Sequence, residues 1–117
     1  MIDWNRVIEL RNEVGPEEFE PVLELFIDEV EEIVMRLDIS DAGRLARDMH
    51  FLKGSAWNLG FSEFGALCQQ GETLAIRNRS GDLNLEEFVA CYSTSKQIFM
   101  RDLAHAVGAE PGRTGVA

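Results

Sequence analysis

The strongest constraint on the fold is the spacing of the apolar residues, which recur at alternating steps of four and three in long segments. In the segment from about Ala42 to Leu59, the repeating positions are Leu45, Met49, Leu52, Ala56 and Leu59. In the segment before it, they are Phe19, Leu23, Phe26, Val30, Ile33 and Leu37. This spacing is typical of one face of an α-helix that packs into a core.

The ends of the first two segments carry residues that start, stop or interrupt helices. A first short helix is predicted from about Asp3, a candidate N-cap, to Val14, with Gly15 as its stop. A second helix should follow directly. Because Pro21 has no N–H to donate, this second helix should either start near Phe19 or kink at Pro21.

Capping residues also frame the last three helices. Ser40 or Asp41 can cap the third helix, and Gly60 suits the left-handed position just beyond its end. Ser62 is placed to cap the fourth helix, and Asn84 opens a capping-box pattern before the fifth. The apolar faces expected for these last two helices are Phe64, Leu67, Cys68, Gly71, Leu74 and Ala75 in one and Leu85, Phe88, Tyr92, Phe99 and Leu103 in the other.

These segments predict an all-α fold without strands. Four long amphipathic helices joined by short connections should form an antiparallel up-down four-helix bundle, with the short additional N-terminal helix packed on one end. This bundle domain is predicted to cover residues 1–107. Residues 108–117 have no periodicity and are predicted to be a flexible C-terminal tail.

Composition and charge exclude several classes of protein. The 117 residues are 45% hydrophobic and 27% charged, which suits one soluble domain. No apolar run approaches the roughly 18 residues of a membrane span, and no leader segment is recognisable. A net charge of −10 argues against nucleic-acid binding. Cys68 and Cys91 fit reduced core thiols better than a disulfide or a metal site, so a cytoplasmic protein without a metal centre is predicted.

One side of the third helix carries none of the apolar stripe. His50 lies one position off the stripe, and Arg47, Lys53, Gly54 and Trp57 share its exposed face. A glycine inside a helix costs about 1 kcal/mol relative to alanine, so Gly54 is expected to make room for another surface. An exposed imidazole on a rigid helix, beside two cationic side chains, is therefore the candidate functional group.

These residues resemble the signature of a known family. The run HFLKGSA at residues 50–56, followed by NLG at residues 58–60, is similar to the H-x-L-K-G-S/A…N-L-G pattern of histidine-containing phosphotransfer (HPt) domains. The similarity includes the acidic helix before the signature and continues to about Val107. HPt domains are helical bundles that carry a phosphoryl group between response-regulator receiver domains, so the resemblance implies this fold and this activity.

The chemistry of the side chains suggests roles that agree with the resemblance. His50 would be the phosphoacceptor, because an imidazole is substantially neutral near pH 7 and has a ring nitrogen free to attack an aspartyl phosphate. Lys53, and more weakly Arg47, would offset the charge of the phosphate. Glu72, which the resemblance favours, or Asp48 would orient the other ring nitrogen.

A receiver domain is expected to dock on the same face, at Gly54, Trp57 and Arg44. Trp57 stands where the family more often has a small residue. Its ring could instead fold onto the N-terminal helix near Trp4. The second histidine of the chain, His105, lies far along another helix and is the weaker candidate for the acceptor.

The chain has no Gly-rich phosphate loop and no nucleotide-binding segment, so it is predicted to be a phosphocarrier without autonomous kinase activity. The expected partners are receiver domains, a hybrid histidine kinase, or both, and the protein should be a monomer that binds neither nucleic acid nor membrane. No cofactor is expected on this chain, because Mg²⁺ should be supplied by the receiver. Two other interpretations stay open: a non-catalytic helical adaptor, and the phosphotransfer module of a larger hybrid or chemotaxis-type histidine kinase.

Overall fold

The computed structural model describes residues 1–107, and the tail predicted for residues 108–117 lies outside the described residues. The described part of the chain is helical, which confirms the predicted all-α fold. Its α-helices are α1 (Trp4–Val14), α2 (Pro16–Met35), α3 (Ala42–Asn58), α4 (Ser62–Ile76) and α5 (Leu85–Ala106), with a single 3-10 turn at Ser80–Asp82 before α5. None of the helices within residues 1–107 is long and apolar enough to cross a membrane.

The four long helices follow one another around the bundle. α2 packs on α3, α3 on α4, and α4 on α5, while α1 packs against α2 and α3. The ring of helices closes where Glu31 of α2 accepts hydrogen bonds from Tyr92 and Lys96 of α5. The α3/α4 face and the α2/α5 face therefore lie on opposite sides of the bundle.

Most of the predicted helix ends are confirmed. The side chains of three predicted caps accept backbone N–H groups at the starts of α1, α3 and α5: Asp3, Asp41 and Asn84. Gly15 and Gly60 end α1 and α3 with positive φ angles of 89° and 79°. Gly60 also allows α1 to approach closely, since a Cβ there would lie 2.6 Å from the carbonyl oxygen of Asp3.

Two of the helix starts considered from the sequence are not observed. α2 does not start near Phe19 but at Pro16, because a proline in the first turn lacks only an N–H that would have had no helical partner. Pro21 lies inside α2, and the alternative of a kink there stays a prediction. Ser62 does not cap α4, whose N-cap is Phe61. The Ser62 hydroxyl donates instead to the carbonyl of Met1 at 2.9 Å, because an isolated bridge between Ile2 and Phe61 brings the N-terminus to it.

The core follows the predicted stripes closely on α3 and less closely on the other helices. Every predicted stripe residue of α3 is 1% exposed or less. On α2, Ile27 is buried whereas its neighbour Phe26 is only partly buried. Cys68 is buried and Cys91 is partly buried, and both are free thiols, as predicted. Burial raises the pKa of the Cys68 thiol, which keeps it protonated and unreactive.

Candidate functional site

The candidate site lies where α3 and α4 run close together. Gly71 on α4 permits this approach, because a Cβ at that position would lie only 2.8 Å from the Sδ of Met49 on α3. The next residue of α4, Glu72, is thereby placed beside the exposed flank of α3. Its side chain is only 13% exposed, although it borders the surface.

His50 projects from α3 into solvent, with 70% of its side chain exposed, and it is held at one ring nitrogen. Its Nδ1 lies 2.9 Å from Oε2 of Glu72. Because an ionised carboxylate can only accept hydrogen bonds, Nδ1 carries the hydrogen and donates it. The neutral ring therefore presents the lone pair of Nε2 to solvent, which is the arrangement that a nucleophilic imidazole needs.

Lys53 holds the other oxygen of the same carboxylate. Its Nζ donates to Oε1 of Glu72 at 2.7 Å and to Oε1 of Gln69 at 3.2 Å, and only 16% of its side chain is exposed. The Lys53 ammonium holds the pKa of the Glu72 carboxyl below its ordinary value, His50 adds to this effect, and partial burial opposes it. Glu72 therefore stays ionised near neutral pH and remains an acceptor for His50.

Gly54 and Arg47 leave the surface beside His50 open. A Cβ placed on Gly54 would have nothing within 4 Å, so the position has no packing reason to be glycine. Arg47 is exposed, and among residues 1–107 its guanidinium forms no ion pair. The surface at Gly54 is therefore open, and the expected roles of Gly54 in docking and of Arg47 beside the phosphate stay predictions.

Trp57 is 48% exposed, and its ring lies against α4. A Cβ on Gly65 would be 2.4 Å from the indole Nε1, so this glycine makes the space that the ring occupies. The Nζ of Lys53 lies 5.9 Å from the centroid of the indole. Trp4 stacks on Phe99, at 5.6 Å between ring centroids, whereas Trp57 also borders a pocket beside α1. A role for Trp57 in docking stays a prediction.

Asp48 and Arg44 belong to a different cluster. Asp48 is 7% exposed, and its carboxylate lies 3.4 Å from a guanidinium nitrogen of Arg36 and 3.7 Å from Nε of Arg44. Arg44 also donates to the carbonyl of Arg36 at 2.7 Å. The alternative that Asp48 orients His50 is wrong, because its carboxylate is turned toward these arginines. Arg44 is held by internal contacts, and its expected role in docking stays a prediction.

The sequence analysis gave three further residues of this region no role in the site. Gln69 shares the ammonium of Lys53, and Gly65 and Gly71 shape the surface of α4 that faces α3. The sequence did contain a signal for the two glycines, because a glycine inside a helix lowers its stability and therefore needs a structural reason, as at Gly54.

Residues 1–107 contain no cluster of three or more side chains able to hold a metal ion. The second histidine, His105, lies in the last turn of α5.

Comparison with known families identifies the family of the chain. The model of the Hpt domain matches residues 21–109, a span that includes His50, Lys53, Gly54 and Glu72. Neither the curated proteins nor the solved structures contain a significant match.

Proposed function

Since this match covers well over half of its length, the chain belongs to the Hpt domain family, and we propose that it is a phosphorelay intermediate that carries the phosphoryl group on His50. Hpt domains perform histidine phosphotransfer in two-component signalling. The observation that supports His50 as the acceptor is its exposed ring, held at Nδ1 by Glu72. The phosphoryl group would come from a phosphorylated aspartate of one receiver domain. It would then pass from His50 to the unphosphorylated aspartate of another receiver domain.

In the proposed transfer, Nε2 of His50 attacks the phosphorus of the aspartyl phosphate. The N–P bond forms as the bond between phosphorus and the aspartate oxygen breaks, and the aspartate leaves as a carboxylate. Because Nδ1 keeps its hydrogen, the substituted ring is positively charged, and the ionised Glu72 stabilises it. In the return step, a receiver aspartate attacks the phosphorus, and His50 leaves as a neutral imidazole.

The neighbouring residues have supporting roles in this proposal. Lys53 offsets the phosphate charge, as expected from the sequence, and it also keeps Glu72 ionised. Arg47 is close enough along α3 to add a weaker, solvent-screened attraction. Gly54 lets the receiver approach, and the receiver supplies Mg²⁺ together with most of the stabilisation of the transition state. The chain itself would have no autonomous kinase activity.

Transfer from a labelled phospho-receiver tests the proposal. The wild-type protein should acquire an acid-labile, base-stable phosphate, and His50→Gln should acquire none while keeping its fold, because an exposed side chain contributes little packing. His105→Gln is the matched control and should accept phosphate normally. Retention of the label by His50→Gln would overturn the assignment. Absence of label on the wild-type protein with every receiver tested would favour a non-catalytic adaptor.

A further inference from the structure

A groove of about 630 Å³ runs between α2 and α5, on the side of the bundle opposite to the His50 site. Two methionines line it with their side chains largely in solvent, since Met35 is 86% exposed and Met100 is 57% exposed. Val34 and Tyr92 also line it, Tyr92 as a buried core residue and Val34 as a partly buried residue packed against the core. Because both apolar side chains are exposed in the same groove, a partner that covers them would remove apolar surface from water.

Hydrogen bonds between α2 and α5 hold the floor of this groove in place. Glu31 accepts a hydrogen bond from the Tyr92 hydroxyl at 2.9 Å and another from the ammonium of Lys96, which ties α2 to α5. The two helices therefore hold the groove open in one arrangement. The methionine side chains above the floor are flexible and polarisable, so they can change conformation to fit the surface of a bound partner.

The charge around the groove indicates what kind of partner it accepts. α2 contains eight acidic residues and no basic one. Within residues 1–107, only Glu31 among these carboxylates forms an ion pair. Asp28, one turn before Glu31, is exposed beside the groove. With a net charge of −10, a second copy of the chain would be repelled, whereas a basic partner would be attracted.

We propose that this groove binds a basic amphipathic helix of a partner protein. Apolar residues on one side of that helix would lie on Met35 and Met100, and lysines or arginines beside them would face the carboxylates of α2. A small enclosed ligand fits less well, because the two methionines are open to water. Because the groove lies opposite the His50 face, this partner and a receiver domain can bind at the same time.

Binding of a synthetic peptide tests this proposal. The probe is a fluorescent Leu–Lys peptide of about 14 residues, about 21 Å long when helical, and its control is a peptide of the same composition scrambled to remove the apolar face. The amphipathic peptide should bind at least about tenfold more tightly than the scrambled one, and its affinity should fall as salt is added. Equal affinities of the two peptides would overturn the proposal, since they would show that the peptides bind through charge alone and not through an apolar face in the groove.

Paired variants locate the binding surface. Met35→Ser with Met100→Ser removes the two apolar side chains of the groove without changing the charge, and should weaken peptide binding about tenfold or more. Leu25→Ser with Ile76→Ser is the matched control, because these residues are also exposed, by 60% and 68%, but lie outside the groove. The control should bind as the wild type does. Equal losses in the two double variants, or no loss in either, would overturn the proposal.

Two further measurements separate this inference from its rivals. NMR shifts caused by the peptide should centre on Val34, Ser93 and Gln97, and shifts centred on α3 would contradict the proposal. Sedimentation should show a monomer, and a dimer that dissociates in the methionine double variant would assign the groove to a second copy instead. The same double variant should accept phosphate on His50 at the wild-type rate, so failure of the groove proposal is distinguishable from failure of the proposed function.

Discussion

Two clusters of similar composition bridge neighbouring helices on opposite faces of this bundle. On the α3/α4 face, Glu72 accepts from the His50 ring and from Lys53. On the α2/α5 face, Glu31 accepts from the Tyr92 ring hydroxyl and from Lys96. In both clusters the lysine lowers the pKa of the carboxyl group, the ring donor adds to the effect, and burial opposes it.

The rings of the two clusters differ in exposure and in chemistry. The side chain of His50 is 70% exposed and has a second nitrogen free, whereas Tyr92 is 5% exposed and its only polar atom is already bonded to Glu31. Burial, together with Glu31, raises the pKa of Tyr92, so its hydroxyl stays protonated and is a poor nucleophile. A carboxylate shared by a lysine and a ring can therefore be purely structural, and reactivity requires an exposed ring atom with a lone pair.

Among variants that leave His50 in place, the largest effect should come from adding bulk to the reactive face. Gly54→Leu should lower the rate of transfer by about 100-fold or more, because the side chain would hold the receiver aspartate away from His50. Stability should be unchanged or rise by up to about 1 kcal/mol, since the site is open and leucine favours helices. Ser93→Leu puts the same side chain on the α2/α5 face and should leave transfer unchanged. Normal transfer by Gly54→Leu would remove the clearance argument.

Removing an exposed aromatic ring should have the next largest effect. Trp57→Ala should weaken receiver binding by about 2 kcal/mol, roughly 30-fold, with little change in melting temperature, if the ring anchors the receiver. Met100→Ala on the opposite face should change neither quantity. Calorimetry and thermal melts on both variants provide the measurement. A drop in stability of Trp57→Ala with unchanged receiver affinity would show that the ring serves the fold by packing on Gly65.

Replacing the glutamate of each cluster by glutamine tests the comparison directly. Glu72→Gln should slow transfer by about tenfold, because the amide cannot match the charged hydrogen bond that orients His50 and stabilises the substituted ring. Glu31→Gln should transfer normally and lose at most about 1 kcal/mol of stability, since its ion pair is partly exposed. Single-turnover transfer rates measure the first effect and denaturant unfolding the second. Equal rates in the two variants would remove the orienting role of Glu72.

The lysines of the two clusters should differ less. Lys53→Ala should slow transfer or shorten the lifetime of the phosphohistidine by about three- to fivefold at low salt, and added salt should reduce the difference from wild type. Lys96→Ala should have no effect on either quantity. If Lys53→Ala has the transfer rate and phosphohistidine lifetime of wild type at low salt, the Lys53 ammonium does not stabilise the phosphate.

The smallest expected effect is on stability in acid. Since the folded state holds the pKa of Glu72 below its ordinary value of 4.5, the ionised carboxylate stabilises the fold at pH values above 4.5. This contribution is lost as the pH falls through the lower pKa of the folded state. Unfolding measured between neutral pH and pH values below 4.5 should therefore show a smaller loss for Glu72→Gln than for wild type. If the free energy of unfolding depends on pH in the same way in both proteins, the contacts of Glu72 with Lys53 and His50 do not stabilise the fold.

Local patterns were sufficient for the helices and for the outline of the site. The stripe on α3 located its buried side, and the exposed position of His50 followed from its offset from that stripe. The local pattern did not choose between neighbouring residues that were equally suitable. On α2, Ile27 is buried whereas Phe26 is only partly buried, and of the two candidate caps of α3, Ser40 and Asp41, it is Asp41 that caps the helix. Such choices depend on the surfaces that meet the helix, which a local pattern does not contain.

The sequence by itself determined an all-α bundle, its main helix boundaries and an exposed histidine beside Lys53 and Gly54, because spacing along a helix is set by its own geometry. Only the tertiary structure decided that Glu72 rather than Asp48 holds His50, and that Lys53 is bonded to Glu72. It also decided that Met35 and Met100 share one groove. The physical reason is that these contacts join different helices, whose relative position is set by packing between them and not by the period of either one.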